Sequence, residues 1–172
     1  MNAFPSRLFG TDGVRGTPGE SPLDERTLAR LGVAIVRTRG RSSAPIRVLI
    51  GRDTRESGEW IFGHLARGIE SEAARVTDGG LLSTPAIAFL TRHGGFDAGI
   101  VISASHNPFE DNGVKVVTHE GEKADDDLEA RIATLVADKT WAVPETGVPP
   151  LATIASSEPY IAHTSRLLDG VT

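Results

Sequence analysis

Two short runs, IRVLIG (residues 46–51) and AGIVIS (residues 98–103), are apolar at nearly every position and rich in β-branched residues. A strand with one face in water alternates apolar and polar side chains, whereas a strand covered on both faces has no need to. The runs therefore demand a sheet with helices packed on its faces. The intervening segments supply them: Leu28, Leu31, Ile35 and Val36 form one stripe at helical spacing, and Ile61, Leu65 and Ile69 recur every four residues. Ser21 as cap, Pro22 at the first helical position and Asp24 and Glu25 in the first turn predict where the first helix begins. Ser57 predicts the cap of the second. In STPAIAFLTRHGG, Thr84 as cap, Pro85 in the first turn and Gly94 as stop predict a third.

A weaker strand is expected around Ala74 to Thr77, and VKVV after Asn112-Gly113 reads as another. Asn-Gly is a strong turn signal, so SASHNPFEDNG should link two neighbouring antiparallel strands, although it is long for a hairpin. Leu128, Ile132, Leu135 and Val136 mark a helix near Asp126 to Ala137, and residues 158–168 offer one more. Strands alternating with helices predict the α/β class, as a three-layer α/β/α sandwich with a mixed, mostly parallel sheet. Ligands of such sheets bind beyond the carboxyl ends of the strands, where GRDTR and SASHNP both fall.

The chain, 172 residues and 18.2 kDa, suffices for one well-cored domain with a short appendage. Residues 1–143 are expected to form that domain, and the proline-rich VPETGVPPLATIASSE begins a linker in residues 144–172. A net charge of −5 argues against a nucleic-acid or anionic-membrane partner, so any anionic ligand must be held by a few placed groups. There is no cysteine to build a disulfide framework or a thiolate metal site. The start, MNAFPSRLFGTDG, has no apolar core of a secretion signal, and a cytoplasmic location is expected.

Ser105 and His106 are neighbours, which suggests a hydrolase pair. Adjacent side chains on extended backbone point to opposite sides, however, and no G-x-S-x-G elbow is present. A reactive Ser105 then needs another activation, and a phosphorylated serine is one candidate. Pro108 restricts Asn107 and stiffens the loop. Equally, Ser103, Ser105 and Asn107 could do no more than bond to nearby backbone in a turn. In LFGTDGVRG, three glycines let backbone N–H groups approach an oxyanion and Arg15 offers a forked cation, but a tight Asp-Gly turn with a solvated arginine fits the same letters. Lys115, ten positions after Ser105, leaves the same loop and either reaches back toward a phosphate or lies solvated at a strand end.

Taken together, FGTDGVRG (residues 9–16), GRDTRESG (51–58), STPA (83–86) and GIVISASHNPFEDNGVK (99–115) resemble, in order and spacing, the first domain of the α-D-phosphohexomutase family, most closely its bacterial phosphoglucosamine mutase branch. The resemblance implies that Ser105 is a phosphoserine that gives a phosphoryl group to a sugar phosphate and later takes one back, through a sugar bisphosphate. It implies glucosamine 6-phosphate and glucosamine 1-phosphate as the interconverted pair. Arg15, His106, Asn107 and Lys115 would line the phosphate site with Thr11 and Gly13, and His106 or Lys115 would assist proton movement. Magnesium is implied as cofactor, with Ser105 a ligand through its phosphate.

The family's D-G-D loop, which carries the other metal ligands, is not found in these residues, and Asp125-Asp126-Asp127 reads instead as acids at a helix N-terminus. Family members have four domains, so the resemblance makes residues 144–172 a linker and the start of a second domain. The expected partners are a phosphosugar and the remaining domains. Without those domains the chain should be inactive as a mutase and could self-associate through the uncovered face. The alternatives are a phosphomannomutase or phosphoglucomutase of the same family, or a noncatalytic module that binds a phosphosugar or a partner.

Overall fold

A computed structural model describes residues 8–40, 44–143 and 157–168. In chain order the elements are β1 (Val14–Gly16), α1 (Glu25–Thr38), β2 (Arg47–Arg52), α2 (Ser57–Glu70), β3 (Arg75–Leu81), α3 (Thr84–His93), β4 (Ala98–Ile102), β5 (Asn112–Thr118), α4 (Asp126–Ala137) and α5 (Glu158–Leu168).

The two apolar runs lie side by side at the centre of one sheet. Its order is β1-β5-β4-β2-β3. β2 pairs in parallel with both β3 and β4, while β5 is antiparallel to β4 and to β1. Only β5 runs against the others, so the sheet is mixed with most strands pointing one way. Val48, Ile50, Ile100 and Ile102 face a large core closed by α1, α2 and α4, whereas Leu49 and Val101 face a smaller one under α3. This is the α/β/α sandwich, and the two-sided burial explains why neither run alternates. Each fully buried Leu or Ile contributes about 1.5–3 kcal/mol by leaving water.

On the larger face the α1 and α2 backbones touch. A methyl added to Gly68 would lie 1.9 Å from the Ala29 carbonyl oxygen, and one on Gly32 2.4 Å from that of Leu65. In the same stretch of α1, buried Arg30 donates to the carbonyl oxygens of Val136, Leu135, Asp138 and Trp141, and stacks on the Trp141 ring. These carbonyls lie at and beyond the last turn of α4, where a helix leaves acceptors unpaired. α5 rests on α3 through Phe89, whose ring meets Tyr160 and His163.

Several boundaries differ from expectation. α1 is capped by Asp24, not Ser21: the Asp24 carboxylate accepts from the Thr27 amide and hydroxyl, while residues 17–23 form turns that bury Leu23. Ser57 is the first residue of α2 rather than its cap, and its hydroxyl is bonded to Asn112 instead. The cap of α3 is Ser83, which makes no side-chain cap bond, with Thr84 already helical. β3 continues to Leu81 through an irregularity opposite Ile50/Gly51. Asn112-Gly113 forms no turn; both residues sit in β5, opposite Gly16 and Arg15 of β1. The three-residue β1 was not anticipated, since so short a glycine-flanked strand carries no periodicity. The expected linker falls largely on residues 144–156, outside the described residues.

Candidate active site

β4 and β5 are joined by residues 103–111, which emerge at the carboxyl end of β4. Two short turns shape this loop, with the Asn107 amide donating to the Ala104 carbonyl and the Asp111 amide to that of Pro108. Asn107 Nδ2 also reaches Asp111 Oδ2 at 3.0 Å. At its centre Ser105 is exposed and has φ 56°, in the left-handed region that β-carbon-bearing residues avoid. Its amide donates to Ser103 Oγ at 3.0 Å.

Arg55, from the GRDTR loop after β2, lies beneath this turn. Its guanidinium donates to the carbonyl oxygens of Ser105, Asn107, Pro108 and Asp111, and its Nε to Asp53 Oδ2. Asp53 is itself fixed, because its amide donates to the Ile102 carbonyl at the end of β4. A cleft of about 780 Å³ opens beside the loop, with Ser105, Asn107, Asp53, Arg55, Thr17 and Phe109 among its lining.

The loop ends at buried Asn112, whose side chain donates to Ser57 Oγ at 2.8 Å and accepts from the Gly113 amide at 2.8 Å. Next to it the β1–β5 ladder pairs Arg15 with Gly113. A β-carbon on Gly113 would lie 2.6 Å from Arg15 Cδ and 2.9 Å from the Ser103 carbonyl oxygen, so Arg15 is laid against the base of the serine loop. Arg15 Nε donates to the Asp12 carbonyl at 3.3 Å, while Nη1 is buried with no hydrogen-bond partner. Gly13 has φ 91°, and a β-carbon there would collide with the Val114 carbonyl oxygen and touch Lys115 Cγ. The amino-terminal glycine turn thus packs on the strand that carries Lys115.

Five of the seven sequence-predicted residues therefore fall into two groups. Ser105 and Asn107 line the cleft. Arg15, Gly13 and Lys115 meet at the β1–β5 edge, tied to the loop through Gly113 and Ser103. His106 is exposed beside Ser105, and Thr11 is exposed in the glycine turn, outside the lining of the cleft. Sequence reasoning missed Arg55, Asp53, Ser57 and Asn112 as builders of the site. Their signal was the charged GRDTRES segment at a strand end, where a fixed acid–arginine pair is a means of holding a neighbouring loop.

Magnesium takes about six oxygen ligands in near-octahedral geometry. Among the described residues no group of three or more His, Asp or Glu side chains is placed to hold a metal ion. Asp53 is engaged by Arg55, and Ser105 would offer a ligand only through a phosphate. The described residues alone do not make a magnesium site. Nor, among them, is any helix long and apolar enough to cross a membrane.

Residues 6–142 match the family described as phosphoglucomutase/phosphomannomutase, alpha/beta/alpha domain I. A phosphoglucosamine mutase from Solibacter usitatus (strain Ellin6076) is 42% identical over 165 residues, covering 95% of this chain and 36% of that protein. One from Koribacter versatilis (strain Ellin345) is 52% identical over 126 residues, covering 73% of this chain and 27% of that protein. Among solved structures, a candidate phosphomannomutase from Thermus thermophilus superposes with a TM-score of 0.76 at 26% identity, over 96% of this chain and 37% of the other. The chain thus spans roughly a third of the length of these relatives.

Proposed function

Because the chain belongs to the phosphoglucomutase/phosphomannomutase family, we propose that it is the phosphoserine-bearing first domain of an enzyme that interconverts glucosamine 6-phosphate and glucosamine 1-phosphate. The observation that carries this reading is Ser105 itself: an exposed serine with φ 56° at a strand end, on a loop tied to a fixed arginine and facing a cleft. The unspent, buried Nη1 of Arg15 at the base of that loop supports it, as a donor waiting for an anion. Glucosamine is preferred over mannose or glucose because the relatives sharing 42% and 52% identity carry that name.

In the forward step the bond between the Ser105 oxygen and phosphorus breaks as a sugar hydroxyl oxygen bonds to phosphorus. The hydroxyl proton passes to His106 or Lys115. The resulting bisphosphate turns around and returns its other phosphoryl group to Ser105, and the proton returns with the reverse transfer. Such transfers depend mainly on positioning and on neutralising charge. Arg15 supplies a cation, as does Lys115 when His106 is the proton acceptor, and Asn107, Thr11 and the Gly13 turn supply hydrogen-bond donors to the phosphate. Magnesium, as charge neutraliser, belongs to the complete enzyme, with its further ligands outside the described residues.

The remaining domains of a longer enzyme are the proposed partners, with the division near residue 143 and residues 144–172 leading into the second domain. A phosphosugar is too charged to cross a bilayer unaided, which favours a cytoplasmic location. The test incubates the 172-residue chain with radiolabelled glucosamine 1,6-bisphosphate and magnesium. Phosphate is expected on Ser105, located by peptide mass spectrometry and absent from Ser105→Ala, with no net mutase turnover. Label on another residue, or none, overturns the assignment of Ser105, and turnover by this chain alone overturns the division of labour between domains.

A further inference from the structure

Arg55 has no part in the chemistry just described, yet it makes more contacts to the serine loop than any residue named there. A guanidinium has five N–H donors and no acceptor. Here all five are spent: Nε on Asp53 Oδ2 at 3.2 Å, Nη1 on the carbonyl oxygens of Pro108 at 2.5 Å and Asp111 at 3.0 Å, Nη2 on those of Ser105 at 3.0 Å and Asn107 at 2.9 Å. None is left for a phosphate oxygen. The contrast with Arg15, which keeps a buried donor free, is direct. Asp53 balances the charge of Arg55 and accepts from its amide at 3.1 Å, so the arginine is gripped at both ends of its side chain.

We infer that Arg55 is a positioning residue that holds Ser105 in its left-handed conformation for phosphoryl transfer, rather than a ligand of the phosphate. The inference rests on the phosphoserine reading of Ser105. Left-handed backbone is unfavourable for serine and persists only where the surroundings enforce it. Within the loop, the backbone bonds are the two short turns, and neither spans more than four residues. Arg55 instead gathers four carbonyls onto one planar group and so fixes the tilt of their peptide planes. In a trans peptide the N–H points opposite to the C=O. Drawing the Ser105 carbonyl onto Arg55 therefore turns the His106 amide away from it, toward the side open to ligand.

A lysine could not do this, since it offers three donors on a freely rotating ammonium without a fork. Two of these bonds are exposed and two part-buried, none fully buried, so water can replace those that are lost. Arg55→Lys should therefore disturb the geometry of the loop far more than the stability of the fold.

The experiment compares the wild-type chain with Arg55→Lys in three measurements: the NMR coupling and carbon shifts of Ser105 that report the sign of φ, the urea midpoint, and the rate at which radiolabelled glucosamine 1,6-bisphosphate phosphorylates Ser105. The expected result for Arg55→Lys is loss of the positive-φ pattern and an approximately 100-fold slower phosphorylation, the cost of about 1 Å of misplacement, with the urea midpoint nearly unchanged. Retained positive φ with wild-type rate overturns the inference. A rate that falls only as far as the folded fraction falls makes Arg55 a stability residue and also overturns it. A wild-type chain that takes no phosphate, with positive φ lost in the variant, removes the phosphoserine reading while leaving Arg55 as the holder of the loop.

Discussion

Asn112 and Ser57 meet through a 2.8 Å hydrogen bond that joins the first residue of β5 to the first residue of α2. The bond closes the far end of the serine loop onto the helix that follows the Arg55 loop. Asn112 is fully buried and also accepts from the Gly113 amide. Asn112→Ala leaves both partners unsatisfied and should lower stability by about 1–3 kcal/mol, read as a shift of the urea midpoint. Asn112→Asp should fare no better, because a carboxylate only accepts: the Ser57 hydroxyl must turn to donate to it, and a charge replaces a neutral amide in a fully buried place.

Gly113→Ala tests how closely Arg15 is laid against the loop. The new methyl would sit 2.6 Å from Arg15 Cδ and 2.9 Å from the Ser103 carbonyl oxygen, so the arginine must move. Phosphorylation of Ser105 is expected to slow by about 10–100-fold. Arg15→Ala should reproduce that defect with a much smaller loss of stability, which separates the missing cation from the strained strand.

On the far side of the molecule, Gly68→Ala brings a methyl to within 1.9 Å of the Ala29 carbonyl oxygen, an atom of helix backbone that cannot swing aside. α1 and α2 must separate. Overpacking of this kind costs about 1–3 kcal/mol, and here the upper end is expected. Gly63→Ala, on the same helix with open space at the β-carbon, is the matched control and should be neutral or slightly stabilising.

His64 gives the fold a pH dependence with a definite sign. Burial holds its pKa below the ordinary value of 6.5, partly offset by Glu25 and reinforced by Arg67. The unfolded chain thus takes up this proton at higher pH than the folded one, and stability falls as the pH is lowered through 6.5 toward the folded value. Glu70 acts in the opposite sense: burial raises its pKa, so its contribution is present at low pH and fades as the pH rises past 4.5. Urea midpoints of wild type and His64→Gln, followed from about pH 7.5 to about pH 5, should converge on acidification. Parallel curves would mean that His64 titrates alike in both states.

Phe109, 82% exposed at the rim of the cleft, Leu81 at the end of β3, and Ile161 on α5 leave large apolar side chains in water. If other domains normally cover such surface, the chain should self-associate at high concentration in sedimentation velocity, and Phe109→Ser should weaken that association. A strict monomer throughout would count against it.

The central strands, the helices behind them and the place of the serine loop could be read from residue order, because two-sided burial and helical spacing are local patterns. α4, expected near Asp126 to Ala137, begins and ends there. What could not be read was settled by distant partners. Asn112-Gly113 has the letters of a turn, but the three residues of β1, arriving from nearly a hundred positions away, pair with it as strand. Ser57 has the letters of a cap, but Asn112 engages its hydroxyl. Arg55 could be placed on the correct end of the sheet, yet its four carbonyl partners exist only after the loop has closed over it.

Arg30 and Trp141 lie on the larger helical face, joined by a hydrogen bond and a stacked ring where the chain leaves α4. That latch sets where mechanical load enters the domain. A pull on the polypeptide beyond Val143 would be taken up first by α1 and the last turn of α4, which Arg30 joins, and not by the loop that carries Ser105.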